Sequence, residues 1–179
     1  TWSVIWSNHE IAAIHKPANL PVNRTTRNVY NTLIQLLRRE SPWPKAHLLH
    51  RLDLETSGVI LIAQNNAVAR RYQAKLSGLI KRKIYHAIVI GKPAWQEQEF
   101  RCDLSMLAEG QGGTPIRSQM HVVAAGSGKE SQSRFRCLSS IEKEGAYYSL
   151  LECEIFTGRK HQIRAQLAHL GHPIVGDKI

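Results

Sequence analysis

Two strand-like runs, SRFRCLSSI (Ser133 to Ile141) and YYSLLECEI (Tyr147 to Ile155), are separated only by the polar residues EKEGA. A link that short joins antiparallel neighbours, because a parallel pair needs a crossover of roughly a dozen residues or more. The N-terminus repeats the pattern: WSVIW (Trp2 to Trp6) and IAAIH (Ile11 to His15) flank the polar turn Ser7-Asn8-His9-Glu10. GVILIA (Gly58 to Ala63) reads as a buried strand, and KIYHAIVIG, rich in β-branched residues, as another. Helices are fewer. NVYNTLIQLLRRE carries Val29, Leu33, Leu36 and Leu37 at helical spacing, with Asn28 as the expected N-cap, and SPWPK stops it. NNAVARRYQAKLSG reads as a helix closed by Gly78, and RKHQIRAQLAHLG as one with Ile163, Leu167 and Leu170 on one face and Gly171 as its stop. Residues 105–133, rich in Gly, Ser and Gln, read as a loop-heavy surface excursion. The sum predicts an α+β fold with a mainly antiparallel mixed β-sheet and flanking helices, not a βαβ repeat.

At 179 residues the chain has the length of one domain, or a core with a small subdomain. Its 42% hydrophobic and 21% charged residues are those of a globular protein. No apolar run approaches the roughly 20 residues that span a bilayer, so no membrane partner is expected. Net charge is +10, from 24 Lys and Arg against 14 Asp and Glu, which makes a polyanion, nucleic acid first, the expected partner. Cys102, Cys137 and Cys153 have no CxxC spacing and read as scattered reduced thiols, hence a cytoplasmic location. A monomer is the default expectation.

In HLLHRLDLETSGVILIA (His47 to Ala63), Asp53 stands between Leu52 and Leu54 at the mouth of a core strand. An exposed Arg51–Asp53 pair would contribute little. Apolar neighbours instead suggest a packed segment, in which a carboxylate needs a cationic or hydrogen-bonding partner. Glu55 lies two residues on; a glycosidase pair must flank one bond at a defined separation, and since two-apart residues on a strand point the same way, the spacing leaves that pair open. No GxSxG, Walker or GxGxxG pattern occurs. The groups His47/His50 and His161/His169/His172 do not match HExxH, so no metal is expected and phosphate-contacting or hydrogen-bonding histidines are the better reading. Arg70, Arg71, Lys75, Lys81, Arg82 and Lys83 cluster without an acid at i±4, a self-repulsion expected to persist unless an anion binds. Tyr85 follows on a strand, suited either to the core or to stacking on a base.

Four ordered segments resemble one family. HRLDLETSG is similar to the HRLDxxTSG signature of the RluA family of pseudouridine synthases, with every fixed position present. HKPANLPV resembles the family's KPxGxxV element, KRKIYHAIVIG its KxYxAxVxG strand, and GRKHQIRAQLAHLGHPIVGD its GRxHQIRxxLxxxGxPIxGD block. His50 before Arg51 favours this branch over the RsuA group, where Gly is usual. Asn19 replaces the usual Gly, and Asn tolerates the left-handed backbone such a turn needs. The resemblance spans the whole chain, read as one catalytic domain over 1–179. A further C-terminal segment is expected, and no S4-type RNA-binding domain is visible.

The resemblance implies the pseudouridine synthase fold around a central basic cleft, and isomerisation of uridine to pseudouridine in ribosomal or transfer RNA. Such chemistry uses neither metal nor organic cofactor. Asp53 corresponds to the catalytic carboxylate, as nucleophile or as base on the sugar. Arg164 corresponds to the residue that pairs with that aspartate, and Tyr85 to the tyrosine against the target base. Leu167, at i+3 from Arg164, is expected to pack near the pocket, and Arg51 to contact RNA or fill the place of the extruded nucleotide. Arg70, Arg71, Lys81, Arg82, Lys83 and His161 complete the expected RNA contacts. Two rival readings are an RNA-binding or chaperone module without catalysis and a glycoside or nucleoside hydrolase using Asp53 with Glu55. Intact Asp53, Tyr85 and Arg164 argue against the first, and release of free uracil would mark the second.

Overall fold

The computed structural model describes residues 1–24, 29–106 and 119–177. The chain divides into two compact units, Thr1–Lys81 and Arg82–Ile179, each with its own sheet. The expected α+β fold with mainly antiparallel strands is present, its strands divided between two sheets in which every described pairing is antiparallel. No described helix is long and apolar enough to cross a membrane.

The first unit orders its strands β1-β2-β4-β3, from Ser3–Ser7, Ile11–Lys16, Gly58–Ala63 and His47–Leu48. Ala12, Ile14, Ile60 and Ile62 are fully buried, the alternation a strand with one packed face requires. Helix α1 covers Leu33–Glu40. It starts at Thr32, and Asn28, the expected cap, lies outside the described residues. Thr32 makes no side-chain cap. The carbonyls of Pro21 and Val22 instead accept from Leu33 N and Ile34 N at 2.8 and 3.2 Å, satisfying two of the orphan donors of the first turn. The helix expected over 65–78 is broken into α2, Asn66–Gln73, and a single turn α3, Leu76–Leu79. Asn65 caps α2 by accepting from Val68 N at 3.0 Å. Gly78 lies inside α3 and does not close the helix; the break falls where Lys75 N turns back to Tyr72 O at 3.0 Å.

In the second unit the order is β5-β9-β8-β6-β7, from Ile84–Ile90, Ala146–Ile155, Lys129–Lys143, Glu97–Ser105 and His121–Val123. The β8–β9 hairpin turns on Glu144 and Gly145, at φ 52 and 76. Positive φ at both central residues matches the twist of the flanking strands, which is why a glycine stands there. Helix α4, Gln162–His169, follows. Its Leu167 is fully buried with Val89, Phe135, Leu151 and Cys153, while Ile163 and Leu170 pack at the margin of that core.

The expected loop over 105–133 is corrected in part. Residues 107–118 lie outside the described set, but β7 and the first residues of β8, 129–133, fall within the range. The inward positions there are Ser131 and Ser133, both fully buried. Their hydroxyls are satisfied by α4: Ser133 Oγ donates to Gln166 Oε1 at 2.6 Å, and Gln166 Nε2 donates to Ser131 Oγ at 3.2 Å. A strand with polar inward residues loses its apolar alternation, so its period is invisible until its partner is in place.

The basic run at 70–83 is also less bare than its sequence. Glu10 accepts from Tyr72 Oη at 2.8 Å and from Arg71, and these donors hold its carboxyl below the ordinary carboxylate range. Arg82 makes a two-point pair with Glu154, Nε to Oε1 at 2.7 Å and Nη2 to Oε2 at 3.1 Å, lowering that carboxyl likewise. Self-repulsion is thus relieved at two of the six cations by acids distant in sequence. A carboxyl with a lowered folded pKa binds fewer protons folded than unfolded. Its stabilisation is complete above the unfolded value of 4.5 and is lost as pH falls through the lowered folded value. Urea midpoints measured from neutral pH downward should therefore fall below pH 4.5, and Glu10→Gln with Glu154→Gln should flatten that fall.

Candidate active site

Within the first unit, residues 49–57 cross between β3 and β4. Leu49 N donates to Leu61 O at 2.9 Å and Leu61 N to His50 Nε2 at 3.0 Å, so the segment leaves the sheet on fixed bonds. Leu52 is buried and anchors the next stretch, whereas Leu54 is 45% exposed. Asp53 between them is half-buried, and its carbonyl accepts from Thr56 N at 3.3 Å, closing a turn. Residues 51–57 are not a strand, so two-apart spacing does not align Asp53 with Glu55, which is exposed. The two acids therefore do not form the aligned pair that the spacing left open. Arg51 is exposed beside the turn.

Beneath this turn lies a residue absent from the expected site. Lys16, at the end of β2, is fully buried. Its Nζ donates to Pro17 O at 2.9 Å, Leu20 O at 2.9 Å and Leu54 O at 3.0 Å. All three ammonium donors are thus committed to main chain. Burial pushes the Lys16 ammonium down from its ordinary value, and the charges of Asp53 and Glu55 pull it back up. Leu54 O also accepts from Asn19 N at 2.9 Å, where Asn19 takes the left-handed φ of 61. Asn therefore does serve in the place of the usual Gly, and HKPANLPV and HRLDLETSG meet at one carbonyl. Lys16→Met would strip the three carbonyls of their shared cationic donor. Stability should drop by about 2–4 kcal/mol, read from urea unfolding, and an unchanged midpoint would count against this account.

In the second unit, Tyr85 stands on β5 opposite Cys153 and leans on the core that contains Leu167. Leu167, expected near a pocket, is fully buried in that core. Arg164 on α4 makes a two-point pair with Asp177, Nε to Oδ2 at 2.7 Å and Nη2 to Oδ1 at 2.5 Å, with side chains 19% and 8% exposed. Gln162 Oε1 accepts from Thr157 Oγ1 and Arg159 N, and its Nε2 donates to Gln132 O and Ser133 Oγ. Together with Gln166 these bonds set α4, and with it Arg164, on the sheet. His161 precedes α4 in left-handed backbone at φ 49. Arg82 is bound by Glu154, and Lys83 O accepts from Ile155 N at 3.0 Å. Arg70, Lys75 and Lys81 are exposed and make no ion pair with any described residue.

The profile of the family described as RNA pseudouridylate synthase matches residues 10–169, through both units. The chain belongs to the RNA pseudouridylate synthase family. Among curated members of that family, an uncharacterized RNA pseudouridine synthase of Synechocystis is 34% identical over 99% of this chain and 57% of its own length. tRNA pseudouridine synthase C of Vibrio vulnificus is 31% identical over 97% of this chain and 71% of its own, and ribosomal large subunit pseudouridine synthase D of Xylella fastidiosa 29% over 98% and 50%. The chain thus spans 57% and 50% of the Synechocystis and Xylella relatives. Among solved structures, human RNA pseudouridylate synthase domain containing 1 superposes with a TM-score of 0.78 at 24% identity, covering 99% of this chain and 68% of that one. That likeness establishes the α+β pseudouridylate synthase fold.

Proposed function

We propose that this protein converts uridine to pseudouridine at selected positions of structured RNA, ribosomal or transfer, with Asp53 as the catalytic carboxylate and no cofactor. The observation that carries the reading is the family match over both units together with a half-buried acid in the HRLDLETSG turn, pinned from below by a buried ammonium. A carboxylate that attacks or deprotonates the sugar must stay ionised, and neighbouring cations favour the charged form. Lys16 lies in the same unit, where the charges of Asp53 and Glu55 pull its ammonium back up against the effect of burial. Arg164 is proposed as the guanidinium that serves Asp53, Tyr85 as the ring against the target base, and Arg51 as an RNA contact.

The uridine has to leave its stack, which costs a few kcal/mol and least in loops. Phosphate contacts offset that cost. Arg70, Lys75 and Lys81 are the cations of the basic run best placed to make them, since Arg71 and Arg82 already hold acids. Relatives act on both RNA classes by their names, a transfer RNA enzyme and a ribosomal large subunit enzyme, so both belong in the test. Incubation with ribosomal and transfer RNA followed by nucleotide-resolution pseudouridine mapping should show new modification at discrete uridines. RNA binding without product would overturn the enzyme reading, and release of free uracil would replace it with a hydrolase.

A further inference from the structure

The last described segment of the second unit is built as a strap. The backbone turns at Gly171, φ 81, and then runs beside the outer edge of β5. Ile90 N donates to Pro173 O at 2.9 Å, Val175 N donates to Ile88 O at 2.9 Å, and Val89 bridges Ile174 between them. His172 Nδ1 lies 3.2 Å from Ile90 O, with its ring edge-on to Trp95. Asp177 N then turns back on Ile174 O at 3.1 Å, which aims the carboxylate at Arg164.

An arginine side chain has many rotamers, and a planar two-point pair removes most of its choices. Here the carboxylate doing so is not on α4. It hangs from main-chain bonds to β5, the strand that also carries Tyr85. The pair uses Nε and Nη2, one edge of the guanidinium, so the plane of the group and the direction of Nη1 are set by the strap. We propose that Asp177 is a positioning residue for the reaction: through the strap it fixes the guanidinium of Arg164 relative to the strand that bears Tyr85. This rests on the reading above in which Arg164 serves the catalytic carboxylate.

Single-turnover and steady-state kinetics on an RNA that the wild type modifies test it. Asp177→Asn keeps shape but loses the charged two-point pair, and kcat should fall about tenfold or more with KM and RNA affinity unchanged. Arg164→Lys cannot make a two-point pair, so adding Asp177→Asn to it should change kcat less than about twofold. Full kcat in Asp177→Asn, or equal losses in both backgrounds, would overturn the inference. A merely structural role would lower the melting temperature and active fraction without this non-additivity. Should Asp177→Asn be unfolded at the assay temperature, Asp177→Glu retains the charge while moving the carboxylate by one methylene. Lowered kcat in that folded variant supports positioning, and wild-type kcat overturns it. An inactive wild type would bring down the functional reading and this inference together, whereas an active wild type with unaffected variants would remove the inference alone.

Discussion

Asp53→Asn should abolish pseudouridine formation while RNA affinity stays within a few-fold of wild type. The exchange is nearly isosteric, and the turn bond at this residue comes from its carbonyl, which Asn keeps. What disappears is the negative charge that the chemistry uses and that Lys16 feels. A loss of at least about a thousandfold in rate corresponds to about 4 kcal/mol of transition-state stabilisation. Affinity should persist because phosphate contacts, not one acid, dominate RNA binding. Pseudouridine mapping beside filter binding separates the two effects. A variant that still modifies RNA at the wild-type rate would remove Asp53 from the site.

Arg164→Ala should damage the fold as well as turnover. Asp177 is only 8% exposed and holds two charge-assisted bonds to this one guanidinium. Removing one partner of a buried pair costs about 3–5 kcal/mol, because the other charge stays behind. Urea unfolding should show that loss, and Asp177→Asn in the same chain should recover part of it, since the carboxylate charge that lost the guanidinium is then gone. A cost below about 1 kcal/mol would mean that the pair behaves as an exposed one. The kinetic defect should survive the stability rescue, which separates the two roles of the arginine.

Legibility in the sequence held where structure is local. The Glu144-Gly145 hairpin, the strand at 58–63, the strand at 84–90 and the apolar face of α4 all follow from period and turn chemistry within a dozen residues. It failed where the partner was remote. Strand β6 has partly buried Gln98, Phe100 and Cys102 alternating with exposed Glu97, Glu99 and Arg101, a pattern too polar to stand out alone. Lys16 gave no sign of full burial, because nothing near it in the chain shows that Leu54, 38 residues away, supplies its third acceptor. Asp177 likewise sat in a recognised motif with no role assigned until α4 brought Arg164 to it.

From the chain itself came the α+β class and the basic character, consequences of local periodicity and composition, and the family, through four ordered segments that resemble its motifs. Only the tertiary structure decided how the charges are shared. Arg71 goes to Glu10 across 61 residues, Arg82 to Glu154 across 72, and Arg164 to Asp177 by way of the strap on β5. The physical reason is that an ion pair is chosen by distance in space and by burial, and neither quantity is written in the spacing of residues along a chain.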